Sequence, residues 1–389
     1  MKELLSKENI DSTLRKVIII ITCLFPLSTE IQRIVPQLNK AIFALLILFL
    51  VIYFIKNRFK DKRNLIFLII FFISYLISLF FTSKEQLLLN INMAIYLPFM
   101  YLFFIFFIEN KEELKEDFNS LKTFIFGVII VYTIILFISI FDGNCYTQID
   151  SGGWGDSEYF ISYSEDPNRI GPASMFIIIL LTLLSVLNYY KKVLPLFVLP
   201  QLYVGYSGGS RTYFTLILAT TVLFYYIWLD NKKYFWLSII PLGIIFIIVL
   251  YNSSIITKIT NLSNDPSNGR FLMWQERLTD YSNFPIINKL FGYGINRPRY
   301  IFNQWSHNDF IEILCCTGIV GLLEYIYFMF IFFKNLLKKN TSILVILIVI
   351  FIWLFNAVFN FFYVYFNAMI SFPVLLLVVN KHYSNKEIL

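Results

Sequence analysis

The chain has 389 residues, 58% of them hydrophobic and 15% charged, with a formal net charge of +7. A soluble domain carries about 25% charge, so this composition and a mean hydropathy of +0.69 exclude a soluble fold and point to a protein of the lipid bilayer. The excess Lys and Arg lie mostly in short loops between apolar runs, which makes them an orientation signal and excludes nucleic acid as the partner.

Twelve apolar segments are expected, at roughly 17–35, 41–55, 65–82, 87–108, 121–141, 171–190, 193–208, 212–229, 234–251, 307–333, 341–358 and 361–379. Runs of this length separated by short polar loops predict an all-α, polytopic bundle, because only helices and closed barrels satisfy their backbone groups in lipid. The first segment is the weakest, interrupted by Glu30, Gln32 and Arg33, so a bend or re-entry is expected there. Val17 to Leu27 is apolar, but no small-residue cleavage site follows it, so no removed signal peptide is expected. The four cysteines, Cys23, Cys145, Cys315 and Cys316, form neither a metal spacing nor a disulfide framework.

Basic loops at 56–63, 191–192, 230–233 and 334–340 fall on one side of such a bundle, with both termini and the acidic loop 109–117. The positive-inside rule makes that side cytoplasmic. Two large loops are then extracellular. The first, 142–170, is acidic apart from Arg169 and reads as a solvated lid. The second, 252–306, is basic, and Ser267 to Asp280 within it predicts a helix with Phe271, Trp274, Gln275 and Leu278 on one face, ended by Pro285. Such a helix suits the membrane surface.

Three segments start from this outer side in polar sequences: Asp166 to Ala173, Gly208 to Phe214 and Trp305 to Leu314. Pro172 suits a first helical position, Ser210 an N-cap, and Ser306 with Asp309 a capping box that places His307 in the first turn. A helix N-terminus offers free N–H groups and partial positive charge, an anion-binding combination. Arg169, Arg211 and His307 thus stand at three such ends, with Arg270 above them on the basic loop. The pocket suits a lipid-borne diphosphate, because the planar guanidinium pairs bidentately with phosphate oxygens. His307 at a helix N-terminus is expected neutral at pH 7, able to accept a proton. No metal-ligand set is visible, so arginines and helix ends rather than a divalent ion supply the positive charge, and no cofactor is expected. Arg58, Lys191 and His382 read as headgroup anchors or structural residues. Trp154, Trp274 and Trp305 are candidates for stacking on sugar rings, or are ordinary interfacial tryptophans. Glu312 and Glu324, within the tenth segment, are either functional or bonded to a neighbouring helix.

The stretches GGSRTYF, NGRFLMWQERL, LFGYGINRPRY and SHNDFIEILCCTGIVG together resemble the O-antigen ligase and polymerase family, over about residues 160–335. The resemblance implies a GT-C-like fold and a metal-independent, inverting glycosyl transfer. It implies that Arg211 and Arg270 hold the diphosphate of an undecaprenyl-diphosphate-linked oligosaccharide, with Arg169 a further member. It makes His307 the catalytic histidine. Within the family, the Ile-, Phe-, Lys- and Asn-rich composition favours a capsule or exopolysaccharide repeat-unit polymerase, with lipid-linked donor and acceptor and with a flippase and chain-length regulator as further partners. A ligase passing a finished glycan to another acceptor, a flippase or exporter of lipid-linked sugars, and a peptidoglycan polymerase are the alternatives. The basic residues gather at one face and no internal repeat is visible, which disfavours a transporter.

Overall fold

The structure, a computed structural model, describes residues 7–148, 158–208, 210–238, 243 and 269–385. Trp154, most of the 234–251 segment and the first part of the basic loop lie outside the described residues. Helices α1 to α10 span Lys7–Glu30, Leu38–Asn57, Lys62–Phe80, Lys84–Leu89, Met93–Glu109, Lys111–Ser120, Lys122–Ile140, Pro167–Val186, Val198–Ser207 and Arg211–Trp228. Helices α11 to α16 span Arg270–Ser282, Ile286–Phe291, Arg297–Phe302, Asp309–Leu336, Ile343–Phe359 and Phe366–Asn385. The described chain is thus a helical, multi-pass membrane protein. Its one departure from all-α is an antiparallel pair in the acidic loop, β1 (Tyr146–Gln148) and β2 (Glu158–Phe160), in register Tyr146 to Phe160.

Five described helices are long and apolar enough to cross a membrane: α2, α3, α7, α8 and α14. Helix α8 is the axis of the bundle. Within its apolar window 94% of residues are buried, against 22% for α2 and 33% for α3 and α7. It packs against α1, α10 and α16.

Several expected segments take another form. The 87–108 run breaks at Asn90 to Asn92 into α4 and α5. The acidic loop after it is the helix α6, bent 86° from α5, with Leu114 and Phe118 in the core. The 193–208 run is a 3-10 turn followed by the 10-residue α9. At about 1.5 Å per residue, α9 is too short to cross about 30 Å of hydrocarbon. Pro172 lies inside α8, which starts at Pro167 after an Asp166 cap, so it is not the first helical residue.

The two ends of the bundle are held differently. At the end with the basic loops, ion pairs join elements far apart in sequence: Arg15 to Asp117 at 2.7 Å, Lys56 to Asp11 at 2.9 Å and Lys60 to Glu113 at 2.6 Å. At the other end, besides the ion pair of Arg33 with Glu165 at 3.7 Å, neutral hydrogen bonds join the end of α1 to the start of α16 and α4 to the Gly-Tyr-Gly turn. Asn367 Nδ2 donates to Thr29 Oγ1 at 2.7 Å, and Gln86 Nε2 donates to the Tyr293 carbonyl at 3.2 Å.

Candidate active site

Helix α14 is built to accept the outer loop. It breaks at Gly318, whose φ of 70° leaves carbonyls unused inside the helix. The Gly-Tyr-Gly turn fills that gap, with Tyr293 N–H donating to Cys315 O at 3.1 Å and Gly294 N–H to Cys316 O at 3.0 Å. A Cβ on Gly318 would overlap the Leu290 carbonyl, and one on Gly292 the Cys316 carbonyl. These glycines allow two backbones to touch.

The segment Gln304–Asn308 is gripped from both sides. From α11, Trp274 Nε1 donates to Ser306 O at 2.8 Å and Arg277 Nη2 to Gln304 O at 3.2 Å. From α14, Glu312 Oε2 accepts from Ser306 N–H at 3.0 Å. Arg277 is itself buried, at 2% exposure, over the Phe302 ring at 4.2 Å. The buried face of α11 is therefore Met273 and Arg277, while Phe271, Leu272 and Leu278 point away from the protein. The helix begins at Arg270 rather than Ser267 and ends at Ser282, with Asn283 rather than Pro285 closing it.

This clamp overturns the expected capping box. Asn308 is the N-cap of α14, its side chain accepting from Ile311 N–H at 3.1 Å. Ser306 is engaged through its backbone, and Asp309 Oδ2 accepts from Tyr325 at 3.0 Å. His307 is therefore outside the helix, at φ 47° in the left-handed region, where a non-glycine residue persists only when its surroundings hold it. Its ring lies 5.2 Å from that of Phe361. Burial, then the charges of Arg270 and Arg277, push its pKa down to about 4. The expected neutrality follows, but from burial and two arginines rather than from a first-turn position.

Arg270 follows Gly269, at φ 75°, and donates Nη1 to the Phe359 carbonyl at 2.6 Å. That carbonyl ends α15 and is one of the orphan acceptors of a helix C-terminus. Thr212 Oγ1 reaches the same carbonyl at 3.5 Å. Its neighbour Arg211 is the first residue of α10, and Ser210 stands at the N-cap position without a side-chain cap bond. Burial, then repulsion from Arg211, lower the pKa of Arg270. No carboxylate acts on Arg270 among the described residues; its other electrostatic neighbours are Tyr365 and Tyr213.

Arg169 is in the first turn of α8, 45% exposed and 3.6 Å from Asp166. Tyr365 feels the charges of Asp166, Arg169 and Arg270. Trp305 lies beneath Arg299, whose guanidinium carbon is 4.3 Å from the ring, and 6.2 Å from Phe361. Trp274 spends its indole N–H on the clamp. Glu324 accepts from Ser74 of α3 at 2.8 Å, so the deeper carboxylate is bonded to a neighbouring helix. Beside the cluster is a cavity of about 530 Å³ that includes Arg169, Trp305, Phe361 and Tyr365 in its wall. No group of three His, Cys, Asp or Glu suited to a metal ion occurs among the described residues.

Two parts of the site escaped sequence reasoning. The segment Phe359–Tyr365 touches Arg270, Thr212, His307 and Trp305, yet reads in sequence as the start of an apolar span. Asn356, Asn360 and Asn367, breaking that apolar run, were its only signal. Of the clamp residues, Glu312 reads in sequence as a carboxylate within an apolar segment and Arg277 lies in the NGRFLMWQERL stretch, but neither reads there as holding 304–308.

Residues 196–326 match the family model Wzy_C, O-antigen ligase. This segment is similar to an O-antigen ligase domain. The match supports the family resemblance read from the sequence. No curated protein matches the chain. The matched segment carries Arg211, Arg270, Trp274 and His307. Arg169 and the Phe359–Tyr365 segment lie outside it, so the rest of the bundle completes the cluster around it.

Proposed function

We propose that the protein is a polysaccharide repeat-unit polymerase. It joins undecaprenyl-diphosphate-linked oligosaccharides at the outer face of the cytoplasmic membrane. In this reading the arrangement is GT-C-like, both termini are cytoplasmic and the loops 142–170 and 252–306 lie outside. One observation carries this reading. An imidazole held neutral and a half-buried arginine meet at Phe359–Phe361, and among the described residues that arginine bonds a carbonyl rather than a carboxylate. Positive charge left unneutralised in a partly buried site favours an anion. The adjacent neutral histidine supplies a proton acceptor.

Arg270 and Arg211 hold the diphosphate of the donor. A hydroxyl of the acceptor sugar attacks the anomeric carbon, forming the new C–O bond as the bond to the diphosphate oxygen breaks. The electron pair leaves on the diphosphate, and the hydroxyl proton passes to His307. Negative charge grows on the leaving group, so the arginines bind the transition state more strongly than the ground state. Attack opposite the leaving group inverts the anomeric centre, and no step calls on a metal ion. Bound diphosphate also offsets the arginine charges that lower the His307 pKa, making the imidazole more basic once the donor is in place.

The test is lipid-linked oligosaccharide analysis of cells carrying His307→Ala in place of the wild-type protein. The variant is expected at normal level in the membrane, with no polymer and with single lipid-linked repeats on the outer leaflet. Long lipid-linked chains would instead identify a ligase, and repeats held on the inner leaflet a flippase. Normal polymer per molecule of variant would remove His307 from the chemistry.

A further inference from the structure

The cavity beside the cluster is lined largely by residues outside the matched segment. Its wall comes from the turn after α1, from α2, the start of α5, the start of α8 and the segment 361–367. Two chemistries alternate around it. Five carboxamides line it: Gln32, Asn39, Asn90, Asn92 and Asn367. Six aromatic rings stand among them, including Tyr96, Trp305, Phe361 and Tyr365. A carboxamide both donates and accepts, matching the paired donor and acceptor character of a sugar hydroxyl. Flat rings match the apolar faces of a pyranose. Gln32 Oε1, Asn367 Oδ1 and Trp305 Nε1 are buried in this wall with no hydrogen-bond partner in the protein. An unmade bond on a buried polar atom is costly, so a ligand that turns these groups inward is favoured.

Position fixes which sugar. Along 359–367 the order is Arg270 at Phe359, His307 at Phe361, then the cavity from Phe361 to Asn367. In-line displacement needs the nucleophile and the leaving group on opposite sides of the anomeric carbon. Along this segment the arginine therefore comes before the imidazole and the cavity after it, with Arg169 in the cavity wall.

We propose that this cavity is the acceptor subsite, holding the hydroxyl-rich sugars of the incoming lipid-linked repeat and presenting one hydroxyl to His307. The inference rests on the polymerase reading for the word acceptor; the claim that the cavity binds sugar stands on its lining. The lining holds both polar groups, Asn90, Asn92 and Lys40, and the apolar Phe43, Ala44 and Ile47 of α2, as an amphipathic ligand requires.

Cysteine protection tests this without relying on turnover. All four native cysteines are buried. Asn92 is exposed at the start of α5 and makes no side-chain cap bond there, so Asn92→Cys introduces one accessible thiol at the rim. The probe is the single lipid-linked repeat extracted from cells lacking the protein, added to the full-length variant in detergent micelles with a polar maleimide. At about nine times Kd the labelling rate should fall about tenfold. It should fall equally in the Asn92→Cys, Arg211→Lys double variant, whose diphosphate site is impaired. Equal protection by undecaprenyl phosphate without sugar would make the cavity a lipid site and overturn the proposal. Protection that disappears in the double variant would assign the cavity to donor sugars, and no protection would overturn it outright. If His307→Ala makes normal polymer while protection persists, the catalytic reading fails and the sugar site remains.

Discussion

The two ends of this bundle are both rich in charge, but among the described residues only one of them also holds arginines by neutral groups. At the basic-loop end, cations are matched to carboxylates across the fold, as with Arg15 and Asp117 or Lys60 and Glu113. At the other end Arg33, Arg169, Arg277 and Arg297 also have carboxylate partners, but Arg270 is held by a carbonyl and Arg299 by an indole ring. A carboxylate partner neutralises an arginine; a carbonyl or a ring orients it and leaves its charge in place. The difference teaches where to look for an anion site: at cations fixed by neutral groups, not where cations are most numerous.

The largest expected effect that would break this contrast comes from Arg211→Lys. Lysine keeps the charge but loses the planar fork. Loss of a contact to a developing diphosphate should cost about 2–4 kcal/mol, roughly a hundredfold or more in rate. Arg58→Lys, at the basic-loop end, should be near silent. Polymer of wild-type length from Arg211→Lys cells would return that residue to anchoring the headgroup region.

The pH profile comes next. Protonation removes the lone pair, so activity falls as pH drops through the His307 pKa. In kcat/KM, which reports the free enzyme, the acid limb should lie near pH 4, where burial, Arg270 and Arg277 place it. In kcat it should lie higher, because bound diphosphate offsets the arginines. A limb near 6.5 in kcat/KM, the ordinary histidine value, would mean that the ring is not buried among cations.

Trp274→Phe should act more mildly. It keeps the ring but removes the bond to Ser306, worth about 1 kcal/mol. The rate should fall by about fivefold to tenfold, with thermal stability slightly reduced. A loss as large as that of Arg211→Lys would show that the indole meets sugar rather than the clamp.

The smallest effect on chemistry should come from Asp117→Asn. Weakening the charge-assisted bond to Arg15 should lower thermal stability by about 1–2 kcal/mol and leave polymer per folded molecule unchanged. A drop in rate per molecule would couple the two ends and blunt the contrast between them.

The sequence by itself determined the class of this protein, because apolar run length and loop charge act locally and need no knowledge of neighbours. It also singled out Arg169, Arg211, Arg270 and His307, since polar sequence at the mouths of apolar runs is costly to place and therefore rare. Only the tertiary structure decided which helix is the core. Helices α8 and α2 have similar hydropathy, 2.0 and 2.5, but their windows are 94% and 22% buried. In a bilayer, lipid and protein interior are equally apolar, so hydropathy cannot separate them. Tertiary packing likewise moved the cap of α14 from Ser306 to Asn308, because Trp274, earlier in the chain, and Glu312, in the first turn of the helix, take its backbone groups. It brought Phe359–Tyr365 under the imidazole and the arginine. Contacts between segments separated by tens of residues leave no periodic trace in either segment, and that is why the floor of the site was invisible until the chain was folded.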